Sequence, residues 1–368
     1  MSRRRKPAVP APAACADCLA RTWLLERLSG HLDVARARIL ELLDLADEDL
    51  IAAVAGGEAA RVTAELTAFE PQAARERCVA AGVEVICRCH PAYPELLWAL
   101  PAEPAVLHVA GGMDRFLTLV ESEAVAIVGA RTASPYGLDM ARGLARDLAG
   151  ARLAVVSGMA IGVDSAAHEA ALAAGGATVA VLAAAPEQPY PASRRALHRR
   201  IVDGGAVVSE LGPGVPARRW MFPARNRIIA ALSAMTVVVA ARIGSGAMLT
   251  AGTAMKLRRP VGAVPGSATA PLSAGPHALL RGGARIVADA GDVLTALWGG
   301  PRTFHTLEYR SLPGAMQPLF DAIADGFELR DAFTMAGLDE RSGLTTLADL
   351  EMGGFIHRGP GGRYAVVP

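Results

Sequence analysis

Residues 124–131 read Ala-Val-Ala-Ile-Val-Gly-Ala-Arg, and residues 153–164 read Leu-Ala-Val-Val-Ser-Gly-Met-Ala-Ile-Gly-Val-Asp. Each is a short run of small and β-branched apolar residues that stops at a glycine. A parallel sheet covered on both faces produces such runs, because no polar face is left to alternate with the apolar one. Between the two runs lies an amphipathic stretch of helical length, Tyr136–Ala149. Strand, glycine turn, helix and strand in that order form the unit of a doubly wound α/β domain.

The same alternation extends outward. Further strands are expected at Thr178–Leu182, Ala206–Val208, Thr236–Val239, Val261–Val264 and Arg285–Val287, with helices such as Asp164–Ala174 and Ala192–Val202 between them. The fold class is therefore α/β, an extended Rossmann-like, mainly parallel sheet over residues 116–300. Upstream, residues 21–115 read as a helical domain with a connector. Leu, Ala and Val recur at helical spacing from Trp23-Leu24-Leu25 to Leu42-Leu43, then come a strand-like Val83–Ile86 and a Pro-punctuated stretch from His90 to Pro104. Downstream, residues 301–368 read as helices Ala315–Ala324, Leu329–Ala336 and Glu340–Met352. A hairpin follows, Phe355–Arg358 with Arg363–Val366. Three helices and a hairpin make a winged helix. Residues 1–20, basic and then rich in Pro and Ala, are expected to be a disordered tail.

Composition narrows the function classes. No apolar run approaches the roughly 20 residues that span a bilayer, and the basic start lacks the apolar core of a secretory signal. Five cysteines, an odd number in a 368-residue chain, argue against a disulfide framework. A cytoplasmic protein is expected. The net charge of +1 hides an asymmetry: residues 1–115 hold 13 Lys+Arg against 16 Asp+Glu, residues 116–300 hold 18 against 11, and residues 301–368 hold 6 against 9. The positive excess sits in the Rossmann-like segment, which points to a polyanionic partner.

Ligands of such sheets bind outside the carboxyl ends of the strands. Two strand-end loops, Gly129-Ala130-Arg131 and Ser157-Gly158-Met159-Ala160-Ile161-Gly162, could offer backbone N–H groups and a helix N-terminus to phosphate, with Arg131 adding a fork of donors. Neither matches a P-loop or a dinucleotide fingerprint. Phe222-Pro223-Ala224-Arg225-Asn226-Arg227 joins cations to an aromatic, the mixture that suits single strands, and Arg218-Arg219-Trp220 precede it. Trp220 reads better as a core anchor. The loops at Gly244-Ser245-Gly246 and Pro265-Gly266-Ser267 could close the same pocket, and Lys256, Arg258 and Arg259 add charge nearby in sequence.

Several blocks follow one another in a recognisable order: Val128-Gly129-Ala130-Arg131, Ser157-Gly158-x-Ala160-x-Gly162-x-Asp164, Ala166-Ala167-His168, Tyr190-Pro191, Ser209-Glu210, Phe222-Pro223-x-Arg225-Asn226-Arg227-Ile228-Ile229-Ala230, Ser245-Gly246 with Thr250-Ala251, and Val264-Pro265-Gly266. With its flanking regions, the chain resembles the DNA-processing protein A (DprA/Smf) family over nearly its full length. The resemblance implies a Rossmann domain that binds single-stranded DNA, flanked by a sterile-alpha-motif-like helical domain and a winged helix. It also implies a homodimer that loads the RecA recombinase during natural transformation in competent cells. Carried onto this sequence, the single-strand and phosphate-binding residues are Gly129, Arg131, Ser157, Gly158, Gly162, Arg219, Phe222, Arg225, Asn226, Arg227, Ser245, Gly246, Lys256 and Gly266. Departures from the family pattern are Ala240 for a glutamate, His277 for an asparagine, and Ala247 and Ala130 for serines. They remove polar groups from the rim but no cations.

No cofactor and no catalytic residue is expected. Asp164 and His168, four apart on one helix, read as a cap and a packed histidine rather than an acid–base or metal pair. Cys15-x-x-Cys18 and Cys87-x-Cys89-His90 have the residue types of a zinc site. About 70 residues separate the pairs and one borders the expected tail, so no metal is predicted. The alternative reading is a Rossmann-like nucleotide-phosphate-binding hydrolase, for which Glu210 is the attractive carboxylate. The acidic third helix of the C-terminal module, Glu340–Met352, argues against duplex reading and for protein contacts.

Overall fold

The computed structural model describes residues 13–299, 312–352, 355–359 and 363–366. The chain divides into two compact units, Met1–Arg302 and Thr303–Pro368.

The first unit is built on a nine-stranded sheet with the order β1-β2-β6-β5-β4-β3-β7-β8-β9. The strands are β1 Glu84–Cys87, β2 Val106–Ala110, β3 Ala124–Val128, β4 Ala154–Ser157, β5 Thr178–Val181, β6 Ala206–Ser209, β7 Met235–Val238, β8 Val261–Ala263 and β9 Arg285–Ile286. From β6 to β9 every pairing is parallel, whereas β2 runs antiparallel to β6 and β1 antiparallel to β2. Strands β3, β4, β5 and β7 are buried throughout, as their unbroken Val/Ala runs require. The chain winds one way from β3 to β6 and the other way from β7 to β9. The switch point is therefore the β3/β7 seam.

Two expectations change at the N-terminal side. Strands β1 and β2 belong to the large sheet and not to a separate helical domain; β2 was not anticipated at all, since Pro101 and Pro104 masked it. The helix Ala16–Arg27 begins inside the segment read as a tail, with Cys18 and Leu19 buried, while residues 1–12 lie outside the described residues. Short helices from Ala16 to Ala80 then pack on the sheet unit through a shared core that includes Leu24, Leu28, Leu50 and Trp220. Trp220 is the anchor its sequence context suggested. Its indole N–H donates to Ser29 Oγ at 2.9 Å, and its backbone N–H to Asp33 Oδ1 at 2.9 Å. Glu26 accepts the Gly212 N–H at 3.0 Å and ties the first helix to the loop after β6.

The cysteine pairs, held apart by sequence distance, also meet. The Sγ atoms of Cys15, Cys18, Cys87 and Cys89 lie within 4.8 Å of one another, because β1 ends beside the start of the first helix. The separation in sequence that argued against a metal site does not exist in space.

The second unit has helices Gln317–Ala324, Leu329–Met335 and Glu340–Met352, and an antiparallel pair, β10 Ile356–Arg358 with β11 Tyr364–Val366. Its core gathers Leu319, Ile323, Phe333, Leu347, Leu350 and Ile356. Gly343 lets the third helix rest on Phe333: a Cβ there would stand 2.6 Å from the ring. Residues 360–362 of the hairpin turn fall outside the described residues.

Candidate nucleic-acid interface

The loops after β3, β4 and β5 and the start of the helix Met221–Ala231 enclose a cleft of about 80 Å³. Its walls include Arg131, Gly158, Ile161, Tyr190, Phe222 and Arg225. Arg131 is exposed, and its guanidinium carbon stands 5.5 Å from the centroid of the Phe222 ring. Tyr190 also packs on Phe222, with ring centroids 5.5 Å apart and tilted by 56°. A half-buried aromatic thus contacts both an exposed cation and a second ring that is 42 % exposed. Such a rim offers a charge to phosphate and π-faces to bases.

The floor is a buried lattice. Arg225 is only 9 % exposed, and Nη1 donates to the carbonyls of Gly158 and Val181, both at 2.6 Å, while Nε donates to Asn226 Oδ1 at 2.9 Å. The Arg225 side chain also lines the cleft. Gly158 is what admits this side chain: a Cβ would lie 2.2 Å from the guanidinium carbon. Asp164, buried beneath, accepts the N–H groups of Gly158 at 3.2 Å and Ala160 at 3.4 Å. Burial raises its pKa above the usual carboxylate range, against the lowering effect of Arg225. Burial likewise lowers that of Arg225, opposed by Asp164.

The two glycine loops therefore hold each other rather than wait for an anion. Gly162 sits at φ +91°, and a Cβ would meet the Ala130 carbonyl oxygen at 2.3 Å. Ala130 accepts the Val163 N–H at 3.2 Å and donates its own N–H to the Ala240 carbonyl at 2.7 Å, which stitches the loops after β3, β4 and β7 together across the switch point. Gly129 is close-packed for the same reason, since a Cβ would touch Val163 at 2.7 Å. Ser157 is fully buried and donates to the Ile127 carbonyl at 2.6 Å. These residues shape the site without facing it.

Arg227 has a different role from the one its neighbourhood suggested. It is 3 % exposed and forms a two-pronged pair with Glu210, Nη1 to Oε2 at 2.9 Å and Nη2 to Oε1 at 2.6 Å. It also donates to the carbonyls of Ala102 at 2.9 Å and Ala224 at 2.7 Å. The pair occupies Glu210, and none of the residues lining the cleft is a carboxylate. Asn226 bridges outward, its Nδ2 donating to the Gly246 carbonyl at 3.1 Å. The adjacent Ser245 Oγ has no hydrogen-bond partner among the described residues, and Gly246 is exposed at the start of the helix Gly246–Lys256. Lys256 closes that same helix at the other end, about 15 Å away after ten steps of roughly 1.5 Å each. Gly266 lies beyond β8, packed on Ser273 and with its carbonyl 3.1 Å from His277 Nε2. Arg219 is exposed on the approach to Phe222.

Of the residues named from sequence, Arg131, Gly158, Phe222 and Arg225 line the cleft; Gly129, Ser157, Gly162, Asn226 and Arg227 support it; Lys256 and Gly266 lie apart from it. Tyr190 and Ile161, to which no binding role was assigned, do line it; the signal for Tyr190 was an aromatic in a Pro-flanked strand-end loop. His168 is a packed histidine, Nδ1 at 2.6 Å from Thr178 Oγ1, with its pKa pushed down to about 3 by burial and then by Arg225.

Comparison with known proteins agrees with this architecture. The profile of "DNA recombination-mediator protein A" matches residues 84–298. A DprA relative from Mycobacterium tuberculosis is 41 % identical over 275 residues, which cover 70 % of this chain and 67 % of that one. The crystal structure of DNA processing protein A from Streptococcus pneumoniae superposes with a TM-score of 0.62 at 30 % identity, covering 76 % of this chain and 98 % of that one. A structure of DNA processing protein A from Helicobacter pylori, described for its single-stranded-DNA-binding mode, gives a TM-score of 0.51 at 28 % identity, over 56 % and 92 % of the two chains. With the profile matched over most of the sheet unit, and a relative 41 % identical over two thirds of its length, this chain belongs to the DNA recombination-mediator protein A (DprA/Smf) family.

Proposed function

We propose that the chain binds single-stranded DNA over the Arg131–Phe222–Tyr190 rim and acts without catalysis, as a mediator that loads RecA recombinase onto incoming strands in natural transformation or a related repair process. The observation that carries the reading is the aromatic–cation rim of Arg131, Phe222 and Tyr190 set above the buried, hydrogen-bonded Arg225. The cleft is shallow, about 80 Å³, and in this reading the strand lies across its rim. The Helicobacter relative, described for its single-stranded-DNA-binding mode, makes this ligand class the expected one. A nucleotide hydrolase would need a carboxylate aimed into the cleft, and Glu210 is held by Arg227 instead.

In this reading the protein works as a cytoplasmic homodimer without a cofactor. No described helix is long and apolar enough to cross a membrane. The C-terminal unit, read as a winged helix, serves protein contacts: its third helix carries Glu340, Asp349 and Glu351, and Arg363 of the hairpin is paired with Glu328 at 2.8 Å. The test is a salt titration of binding to labelled oligo-dT with duplex as competitor. Binding that weakens steeply with salt and resists duplex supports the reading. Failure to bind at low salt, or equal competition by duplex, overturns it.

A further inference from the structure

The four cysteines that meet at the start of the first helix have the geometry of a coordination sphere. Cys15 and Cys18 flank the first turn of Ala16–Arg27, and Cys87 and Cys89 lie at the end of β1 and in the turn beyond it. Cys18 Sγ and Cys89 Sγ are 3.7 Å apart, and all four sulfurs fall within 4.8 Å of one another. That spacing is too wide for a disulfide, whose sulfurs lie about 2.05 Å apart. A tetrahedron of sulfurs around one zinc ion, with Zn–S bonds of about 2.3 Å, has edges of about 3.8 Å. An iron–sulfur cluster, with several metal atoms inside the ring of cysteines, would hold them further apart.

The surroundings suit thiolates. The Cys15 backbone N–H donates to Cys87 Sγ at 3.4 Å. Cys87 in turn donates its N–H to the Ala13 carbonyl at 3.2 Å, which closes the chain segment around the cluster. Arg88, between Cys87 and Cys89 in sequence, is paired with Glu103 at 2.7 Å, and Arg75 donates to the Ala14 carbonyl at 3.2 Å, next to Cys15; four thiolates would leave a net charge of −2 around a divalent ion. Cys18 and Cys87 are buried, Cys15 half-buried and Cys89 exposed, which places the cluster at the surface with one edge open for metal entry.

We propose that Cys15, Cys18, Cys87 and Cys89 form a structural zinc site that clamps the first helix to the edge strand of the sheet. With four protein sulfurs the coordination is closed, and no position remains for a reacting water. Binding Zn(II) releases the protons still held by the four thiols and changes no oxidation state. The clamp joins points 71 residues apart in sequence, Cys18 and Cys89, so the metal would hold the N-terminal helices to the sheet independently of the DNA cleft.

The test uses the full chain purified under reducing conditions without chelator or a metal-affinity tag. Elemental analysis should give about one zinc per chain, and mercurial titration of the thiols should release it to a chromogenic indicator. Cys89→Ser, at the exposed corner, and Cys18→Ser should each lose the zinc. Cys78→Ser should keep it, because that cysteine is buried outside the cluster. Replacement by Co(II) should give the intense absorption of a tetrahedral thiolate centre. The proposal is overturned if the folded chain is metal-free and stays so on incubation with Zn(II), if the metal found is iron with labile sulfide, if the cysteines are isolated as disulfides from anaerobic preparations, or if Cys89→Ser folds and retains full zinc.

Discussion

Glu210→Gln tests whether the second arginine of the Arg225-Asn226-Arg227 turn builds the protein or grips its ligand. The substitution keeps the size of the side chain and removes its charge. Arg227 would then remain 3 % exposed with two carbonyl acceptors and no counter-charge. Leaving one member of a buried pair unmatched costs about 3–5 kcal/mol. For a unit of this size that is a fall in Tm on the order of 10 °C. Replacing both partners by apolar residues of similar volume, Glu210→Leu with Arg227→Met, removes the stranded charge and should recover most of the loss. Urea and thermal unfolding followed by far-ultraviolet circular dichroism read the stability, and oligo-dT affinity at a temperature where each variant is folded reads the binding. The reasoning fails if Glu210→Gln unfolds within about 1 kcal/mol of the parent, or if the apolar double variant stays folded yet loses single-strand affinity as fully as Arg131→Ala does.

Other outcomes follow from the same structure. Arg131→Ala should weaken binding to all single strands alike and lower the salt slope by roughly 0.7–1, measured by titration at several salt concentrations; an unchanged slope would remove Arg131 from the contact. Phe222→Ala should cost about 1–3 kcal/mol of affinity, on the order of 5- to 150-fold, with little change in salt dependence. Gly158→Ala should expel Arg225 and lower both stability and binding, since its Cβ would lie 2.2 Å from the guanidinium carbon; a variant as stable as the parent contradicts the packing described. Acid should destabilise the fold through its buried histidines. Unfolded imidazole takes up a proton below about pH 6.5, whereas burial pushes His168 down to about 3 and His108 down to about 4. The unfolded state therefore binds more protons in that window, and stability falls as pH drops from 6.5 toward 4. Asp164, raised by burial, acts in the opposite sense. Urea midpoints at pH 7.5 and 5 should differ less in His168→Gln than in the parent.

The sheet was largely legible because a covered parallel strand leaves an unmistakable apolar run: β3, β5 and β7 fall within a residue of their expected limits. Strand β2 was not, since prolines that end helices also flank edge-side strands, and composition alone does not separate the two cases. The N-terminal boundary was misplaced because Pro and Ala set the local composition while burial of Cys18 and Leu19 depends on residues far along the chain. At the cleft, sequence marks a cation but not whether it is already paired. One clue was present: residues two apart on a helix point about 200° away from each other, so Arg225 and Arg227 could not both face one cleft. The cysteine cluster shows the same limit from the other side, because a separation in sequence says nothing about distance once a strand returns past a helix.

The locked loops have a consequence for the timing of recognition. Asp164 holds the amides of Gly158 and Ala160, and Ala130 joins the loops after β3 and β7, so this part of the surface loses its conformational freedom at folding and not at the encounter. A strand arriving at such a surface does not wait for a loop to find its shape. Association would be limited by diffusion and electrostatic steering, with no loop-ordering step to slow the on-rate.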